Sequence, residues 1–285
     1  MKKYGRFFRL LSLLLLFACG CGKTFAVLSE DISLSLQEKR IQDFSISGLT
    51  LVFYIRVENK TSDPYEITRY DYKFFISKKE YIQMETTPVK PMHVPAHDTS
   101  LLAFPLKITY SRLFENFPEL KEQDTAYSYL VGGFVVSKDG KEKGRIPFSY
   151  PGEFPIFKAP EIEFLDLQVK DLTIGGADIL FNVRFNNPNA FDLFILRIIY
   201  NLKLGGHDLG NGRIKGDKDM KPQEIKEYSL PLLLNFFEVG KKVYGILHQD
   251  SFPGRFTGEI FIKTIWGFIT VPFDKSGEVS ITRVR

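Results

Sequence analysis

The chain has 285 residues, of which 44% are hydrophobic and 25% charged, a composition typical of globular proteins rather than disordered or membrane-spanning ones. Its formal net charge of +4 comes from four basic residues that precede residue 10, because the rest of the chain has 34 basic and 34 acidic residues. The remainder is neutral by count, which argues against binding to a phosphate backbone. We therefore expect no nucleic-acid partner.

The first 18 residues have the organisation of a secretory signal peptide. Four basic side chains are followed by an apolar run over residues 10–18, far shorter than the roughly 20 residues that a membrane-spanning helix needs. The end of the run, Leu16-Phe17-Ala18-Cys19, resembles a bacterial lipobox, in which a peptidase cuts before a diacylated cysteine. We therefore predict a lipoprotein signal peptide over residues 1–18.

The chain contains two cysteines, and we predict acylation at Cys19, with Cys21 as the alternative. A disulfide or a metal site is less suitable, because one intervening residue makes a ring too small for easy disulfide geometry and no third cysteine exists. Two or three acyl chains would anchor the protein stably to a membrane, with residues 19–30 as the lipidated N-terminus and tether. Because Gly20 rather than Asp follows Cys19, the sorting rule of enteric bacteria predicts an outer-membrane lipoprotein that faces the periplasm or the cell surface.

Beyond residue 30 the sequence has the pattern of short strands and is repeated. The β-branched and aromatic runs at 51–57 and 179–185 end at Asn-rich turns, which predicts strands. Identical residues recur at an offset of 128: Asp43 with Asp171, Phe53 with Phe181, Arg56 with Arg184, Asn59 with Asn187, and Tyr72 with Tyr200. A repeat of about 125 residues has the size of a domain, so we predict two tandem copies, at 31–157 and 158–285.

The middle of each copy has helical spacing of its apolar residues. This spacing covers residues 110–120 in the first copy, where Pro118 interrupts it, and residues 234–249 in the second. We predict one short helix in each copy, set between strands of an antiparallel β-sandwich, because alternating strands must hide one face against a second sheet. The join at 154–161 contains two prolines and predicts a short, stiff linker.

The second copy resembles a known family. Asn187-Pro188-Asn189-Ala190-Phe191, then Tyr200-Asn201-Leu202 and Gly205-Gly206, are similar to the conserved line of the LEA type 2 family, also called the water stress and hypersensitive response (WHy) domain. The first copy keeps Asn59 and Tyr72 but has Lys60-Thr61 and Ser77-Lys78 at the other motif positions, so its assignment rests on the internal repeat. The resemblance implies an all-β fold of two tandem fibronectin-III- or immunoglobulin-like antiparallel sandwiches, an association with desiccation or stress tolerance, and no catalytic residues.

The polar residues that stand out are better explained by folding than by chemistry. Asn187-Pro188-Asn189 is typical of a turn that follows a strand, because Pro fixes φ and the Asn side chain forms hydrogen bonds with its own backbone. Tyr72 and Tyr200 are expected to be core rings whose hydroxyls bind nearby carbonyls. Arg56 and Arg184 lie within predicted strands, where we expect them on the solvent face rather than at an anion site.

Metal and catalytic chemistry have weak support in the sequence. His93 and His97 are separated by Pro95, which excludes the helical face that a metal-binding pair uses, and no third ligand lies nearby. Neither a nucleophile elbow nor a phosphate loop is present. We therefore expect no metal, no cofactor and no enzymatic activity.

Phenylalanine is unusually frequent, with 27 residues. Core packing of two sandwiches explains most of them. The other interpretation is that some rings, such as Phe236 and Phe237 or Phe191 and Phe194, line a groove between helix and sheets that accepts a hydrophobic ligand, either an acyl chain or an unfolding peptide.

The sequence thus predicts a non-catalytic, lipid-anchored cell-envelope protein with a stress-protective or interaction role. The alternative is an envelope module that binds or transports a lipid or another hydrophobic ligand. A partner protein of the envelope is compatible with either function.

Overall fold

The computed structural model describes residues 31–88 and 90–283, and within these residues strands far outnumber helices. No helix in this part of the chain is long and apolar enough to cross a bilayer. The predictions for residues 1–18, for the acylated Cys19 or Cys21 and for the tether at 19–30 fall outside the described residues.

The first half of the chain forms two facing sheets from eight strands. They are β1 (Ile32–Ser45), β2 (Gly48–Asn59), β3 (Tyr65–Ile76), β4 (Lys79–Thr86), β5 (Met92–Val94), β6 (Thr99–Thr109), β7 (Thr125–Lys138) and β8 (Lys141–Pro155). One sheet has the order β1-β2-β6, and the other has the order β4-β3-β7-β8 with β5 paired to β3. The pairings within each sheet are antiparallel.

The second half repeats this arrangement with seven strands. They are β9 (Glu161–Leu172), β10 (Gly176–Asn186), β11 (Leu193–Leu204), β12 (His207–Met220), β13 (Ile225–Asn235), β14 (Ser251–Thr264) and β15 (Gly267–Arg283). The strands β9-β10-β13 follow the order of β1-β2-β6, and β12-β11-β14-β15 follow that of β4-β3-β7-β8. Here the two sheets are joined, because β15 pairs with β9 in parallel.

Aromatic rings fill the space between the sheets of each half. In the first half Phe53 and Phe74 meet with ring centroids 6.3 Å apart, and in the second Phe181 and Phe256 meet at 5.3 Å. All four side chains are fully buried. The predicted all-β fold of antiparallel sandwiches is confirmed, and core packing accounts for these repeated phenylalanines.

The predicted helical stretch of each copy contains two short helical elements. In the first half α1 (Tyr110–Asn116) is followed by a 3₁₀ turn (Pro118–Glu122), because Pro118 cannot donate the backbone hydrogen bond that would continue α1. In the second half α2 (Phe236–Val239) and α3 (Lys241–Ile246) are separated by Gly240, whose φ of 91° is not helical. The helical spacing was therefore correct: the first copy has the one predicted α-helix, followed by a 3₁₀ turn, and the second has two short α-helices instead of one.

The edge strands β6 and β13 each contain a proline. Pro105 lies in β6 opposite Val52, and Pro231 lies in β13 opposite Leu180. A proline has no N–H to donate, which restricts it to edge strands within sheets. The carbonyl of Pro231 accepts a hydrogen bond from the Tyr200 hydroxyl at 2.8 Å, so at this residue the edge of β13 offers neither a donor nor a free acceptor to another strand.

A buried asparagine closes the same end of both halves. The Asn187 side chain is fully buried, and its amide nitrogen donates to three carbonyls, those of Phe191 at 2.9 Å, Met220 at 3.2 Å and Lys221 at 3.0 Å. Its side-chain oxygen accepts from the backbone N–H of Asn189 at 3.0 Å. The carboxamide thus joins the end of β10 to the ends of two neighbouring segments.

Asn59 makes the same set of bonds in the first half. Its amide nitrogen donates to the carbonyls of Asp63 at 2.7 Å, Val94 at 3.4 Å and Pro95 at 2.9 Å, and its oxygen accepts from the N–H of Thr61 at 3.0 Å. In both halves the asparagine amide donates to the carbonyl four residues later, and its side-chain oxygen accepts from the N–H two residues later. The Thr61 hydroxyl replaces the Asn189 side chain as a second donor to this oxygen.

Replacing Asn187 with alanine should lower the free energy of unfolding by about 3 kcal/mol, because it leaves several buried backbone groups without partners. Urea denaturation followed by circular dichroism measures this loss. The control is Asn186→Ala, whose side chain donates to the exposed Glu161 carboxylate and should cost less than about 1 kcal/mol. Equal losses in the two variants would contradict the role assigned to the buried carboxamide.

Candidate functional site

Four aromatic rings pack where the two halves meet. Phe44 near the end of β1 contacts Trp266 in the β14–β15 turn at 5.0 Å and Phe191 in the β10–β11 loop at 6.0 Å, measured between ring centroids. Phe191 and Trp266 meet edge to face at 4.8 Å, and Phe157, which follows β8, contacts Phe44 at 6.1 Å. Residues from the first half, the connection and the second half thus share one apolar cluster.

The connection between the halves is held by hydrogen bonds as well as by rings. The N–H of Lys158 donates to the Asn189 side-chain oxygen at 2.8 Å, and the Asn189 amide donates back to the Lys158 carbonyl at 2.8 Å. The Lys158 ammonium also pairs with Asp124 at 3.0 Å. These bonds restrain the segment 154–161, for which a short, stiff linker was predicted. The predicted domain boundary, between residues 157 and 158, lies in this segment.

A cleft of about 740 Å³ lies beside this cluster, and its volume is in the range of ligand-binding pockets. One wall is the outer edge of β1 at residues 38–41, and the facing wall is formed by the start of β7 and the end of β8. Phe191, Ile265 and Trp266 close it from the second half. We call this space the β1 cleft.

The β1 cleft combines exposed apolar groups with charged ones. Tyr127 is 67% exposed and Ile265 77% exposed, so both present apolar surface to solvent at the cleft. Glu38, Arg40 and Glu153 are charged residues of its lining, and Glu38 and Arg40 pair with each other. This mixture suits a ligand with both apolar and hydrogen-bonding groups better than a purely hydrophobic one.

The four predicted groove residues do not come together. Phe191 lines the β1 cleft, and Phe194 is half-buried on β11. Phe236 is buried against Tyr244, whereas Phe237 is 86% exposed. Phe191 follows the end of β10 and Phe236 packs near its start, about 30 Å away along an 11-residue strand. The two candidate pairs therefore lie at opposite ends of β10, and of the four residues Phe191 alone lines the β1 cleft.

Sequence reasoning did not select Phe44, Trp266 or Tyr127. Trp266 is the chain's one tryptophan and lies in a tight turn between two strands, which is an unusual place for a large ring. Phe44 lies near the end of β1, and the residues that precede it in this strand are mostly polar. These local signals were available, but the meeting of the three depends on how the halves are placed.

The two repeated tyrosines are core residues. Burial raises the pKa of Tyr200 to about 12, and its hydroxyl donates to the Pro231 carbonyl as predicted. Burial also raises the pKa of Tyr72, but its hydroxyl lies 3.4 Å from the Met84 sulfur. The predicted carbonyl partner is wrong for Tyr72, because the register of β3 with β4 sets Met84 directly opposite.

The repeated arginines and the histidines lie apart from the β1 cleft. Arg56 donates to Gln37 on the exposed face, and Arg184 pairs with Glu163 and Glu227, both at 2.9 Å. The hydrogen bonds that the Arg184 guanidinium donates to these two carboxylates raise its pKa. Within residues 31–88 and 90–283, no group of three His, Cys, Asp or Glu side chains is placed to hold a metal ion.

Trp266 allows the junction to be observed directly by fluorescence. Phe44→Ala should shift its emission to longer wavelength, because removal of the ring opens one face of the indole to water. Steady-state fluorescence of the folded variant measures the shift. Phe237→Ala, which removes an exposed ring elsewhere in the second half, is the control and should leave the emission unchanged.

Comparison with known proteins finds one matching family model. Residues 182–277 match the LEA_2 model, described as late embryogenesis abundant protein. A search of curated proteins finds no match to the chain.

Solved structures also match parts of the chain. A protein from Archaeoglobus fulgidus is 16% identical and covers 45% of this chain and 100% of its own, with a TM-score of 0.35. A protein from Arabidopsis thaliana is 19% identical and covers 52% of this chain and 95% of its own, with a TM-score of 0.36. A solution structure assigned to the late embryogenesis abundant (LEA) proteins is 18% identical, covers 44% and 72%, and has a TM-score of 0.29. By the family model, residues 182–277, which run from β10 into β15, are similar to LEA_2 proteins.

Proposed function

We propose that the chain is a non-catalytic cell-envelope protein that is anchored by acyl chains at Cys19, or alternatively Cys21, and carries two LEA type 2 domains with a stress-protective or interaction role. The observation that carries the proposal is the LEA_2 match of residues 182–277, within a half whose strand order recurs in residues 31–157. The anchor rests on the lipobox-like sequence that ends at Cys19.

The assignment of the first half to the same family is supported by equivalent residues that form equivalent hydrogen bonds in both halves. Asn59 and Asn187 bind carbonyls at matching positions, as described above. The hydrogen bond from the N–H of Ile156 to the Asp124 carbonyl recurs as that from Ile281 to Asp250. The first strand of each half, β1 or β9, has a shift in its pairing register at the equivalent residue, Gln37 or Leu165.

A non-catalytic role is supported by the kind of residues whose pKa values are shifted. Tyr72, Tyr110, Tyr150 and Tyr200 have pKa values raised by burial within the sandwiches, where they serve packing. The other shifted groups are charged side chains in surface ion pairs, such as Arg255 with Asp274. Catalytic sites more often combine burial with a nearby charge in a cleft.

The alternative function, transport of an acyl lipid, would require a continuous apolar cavity. The positions between the sheets are instead occupied by fully buried side chains, among them Phe53, Phe134, Phe181 and Phe256. Lipid transport is therefore the less well supported of the two functions.

The anchor can be tested by feeding cells a clickable fatty acid. Wild-type protein should be labelled, Cys19→Ala should abolish the label and release the protein from membranes, and Cys21→Ala should leave both unchanged. The reverse pattern would assign the anchor to Cys21. Labelling of the double variant, or its retention at the membrane, would exclude the proposed anchor.

The protective role can be tested by drying. An enzyme that loses activity when dried should retain several-fold more activity when dried with the purified full chain than with an equal mass of serum albumin. Native mass spectrometry of the same sample should find no lipid beyond the covalent acyl groups. Protection no better than that by albumin, together with a stoichiometric releasable lipid, would favour the transport alternative.

A further inference from the structure

The two halves differ in how the sandwich is closed along one side. In the second half β15 runs parallel to β9, with Ser280 opposite Asp166, Ile281 opposite Leu167 and Arg283 opposite Val169. Leu167 and Val169 are buried beneath this pairing. The strand pairing thus seals the space between the two sheets.

The equivalent positions of the first half are not paired. The offset of 128 places residues 38–41 of β1 where β9 has residues 166–169, and the offset of 125 places residues 155–158 where β15 has residues 280–283. In both halves the segment begins directly after the irregularity in the opening strand, at Gln37 and at Leu165. The β1 cleft occupies this unpaired position.

Several backbone groups of residues 155–158 are bound elsewhere, which keeps this segment from pairing with β1. Pro155 has no N–H, and its carbonyl accepts from the Tyr110 hydroxyl at 3.1 Å. The same hydroxyl accepts from the N–H of Phe157 at 3.3 Å, and Asn189 binds both backbone groups of Lys158. In the second half Phe236, which begins α2 as Tyr110 begins α1, has no hydroxyl to do this.

The edge of β1 is therefore left open. Residues 38–41 make backbone hydrogen bonds to β2, and among the described residues to no other segment. A row of unpaired N–H and C=O groups on an edge strand is a template for another strand. A lipid tail would leave these groups without partners, whereas a second backbone would bind them.

The side chains along the open edge indicate the character of the missing strand. Lys39 lies opposite Phe53, which is buried in the core, so Lys39 projects from the inner face of the sheet and yet is exposed to solvent. It makes no ion pair with any residue in the described part of the chain. The equivalent residue of β9 is Leu167.

We propose that the β1 cleft binds an extended segment of a partner polypeptide, which pairs with residues 38–41 as β15 pairs with β9. The segment has an acidic side chain opposite Lys39 and apolar side chains that contact Tyr127 and Trp266. This inference rests on the strand geometry and the charges of the cleft, and it does not depend on the lipid anchor or on stress protection.

The chain itself supplies the probe for a test. A fluorescent peptide of residues 276–283, which close the second half, is synthesised with Ile281→Glu and, separately, with Ile281→Lys. Anisotropy titrations use the full chain in detergent micelles. The wild type should bind the peptide with glutamate at least about tenfold more tightly than the one with lysine, and Lys39→Glu should reverse this preference.

Three controls make the test specific. Lys107→Glu reverses an exposed charge on β6 of the same sheet and should not change the preference. Tyr127→Ala should weaken binding severalfold more than Tyr129→Ala, because Tyr127 lines the cleft and Tyr129 lies two residues further along the same face of β7. A peptide methylated on its alternate backbone nitrogens that face β1 should not bind.

Several results would overturn the proposal. They are failure of the glutamate peptide to bind the wild type at millimolar concentration, retention of the same preference in Lys39→Glu, and undiminished binding of the methylated peptide. Binding only to a variant that lacks residues 22–30 would show that the chain's own N-terminal segment fills the cleft, and would also exclude a partner.

Discussion

The structure depends on two buried carboxamides, those of Asn59 and Asn187. Each lies where three chain segments end together, and each binds carbonyls that would otherwise be buried without donors. In the second half Asn189 extends the network to both backbone groups of Lys158. The turn that closes the second sandwich therefore also fixes the segment that enters it. This segment is held away from β1, and the cleft follows from that restraint.

The features that could be predicted from the sequence are those with a local cause. Alternation of apolar residues and Asn-rich turns indicated the strands, and a constant offset between Asn59 and Asn187 indicated that the arrangement recurs. The helical stretches were located correctly, but the break at Gly240 depends on a backbone conformation that apolar spacing does not encode. The arginines were correctly placed on the solvent face for the same local reason, since neighbouring positions on a strand face opposite ways.

The cleft could not be predicted because its causes are remote in sequence. Tyr110 binds residues 45 and 47 positions away, and Asn189 binds Lys158 from 31 positions away. Equivalent residues in the two halves have different partners, so a repeat in sequence did not imply the same closure. Phe191 and Phe194, or Phe236 and Phe237, were groove candidates because phenylalanine is frequent, and frequency does not show that Phe191 alone of these four lines the cleft. Which surface is open is decided by where each backbone group finds its partner.

The prolines on β6 and β13 have a consequence for crowded conditions. Withdrawal of water brings molecules together and favours stacking of sheet margins from neighbouring copies, the route to cross-β aggregates. Pro105 and Pro231 each interrupt the ladder that such stacking requires, and Tyr200 occupies the acceptor that Pro231 retains. These two edges are therefore poor templates for pairing between copies of the chain, unlike the open edge of β1.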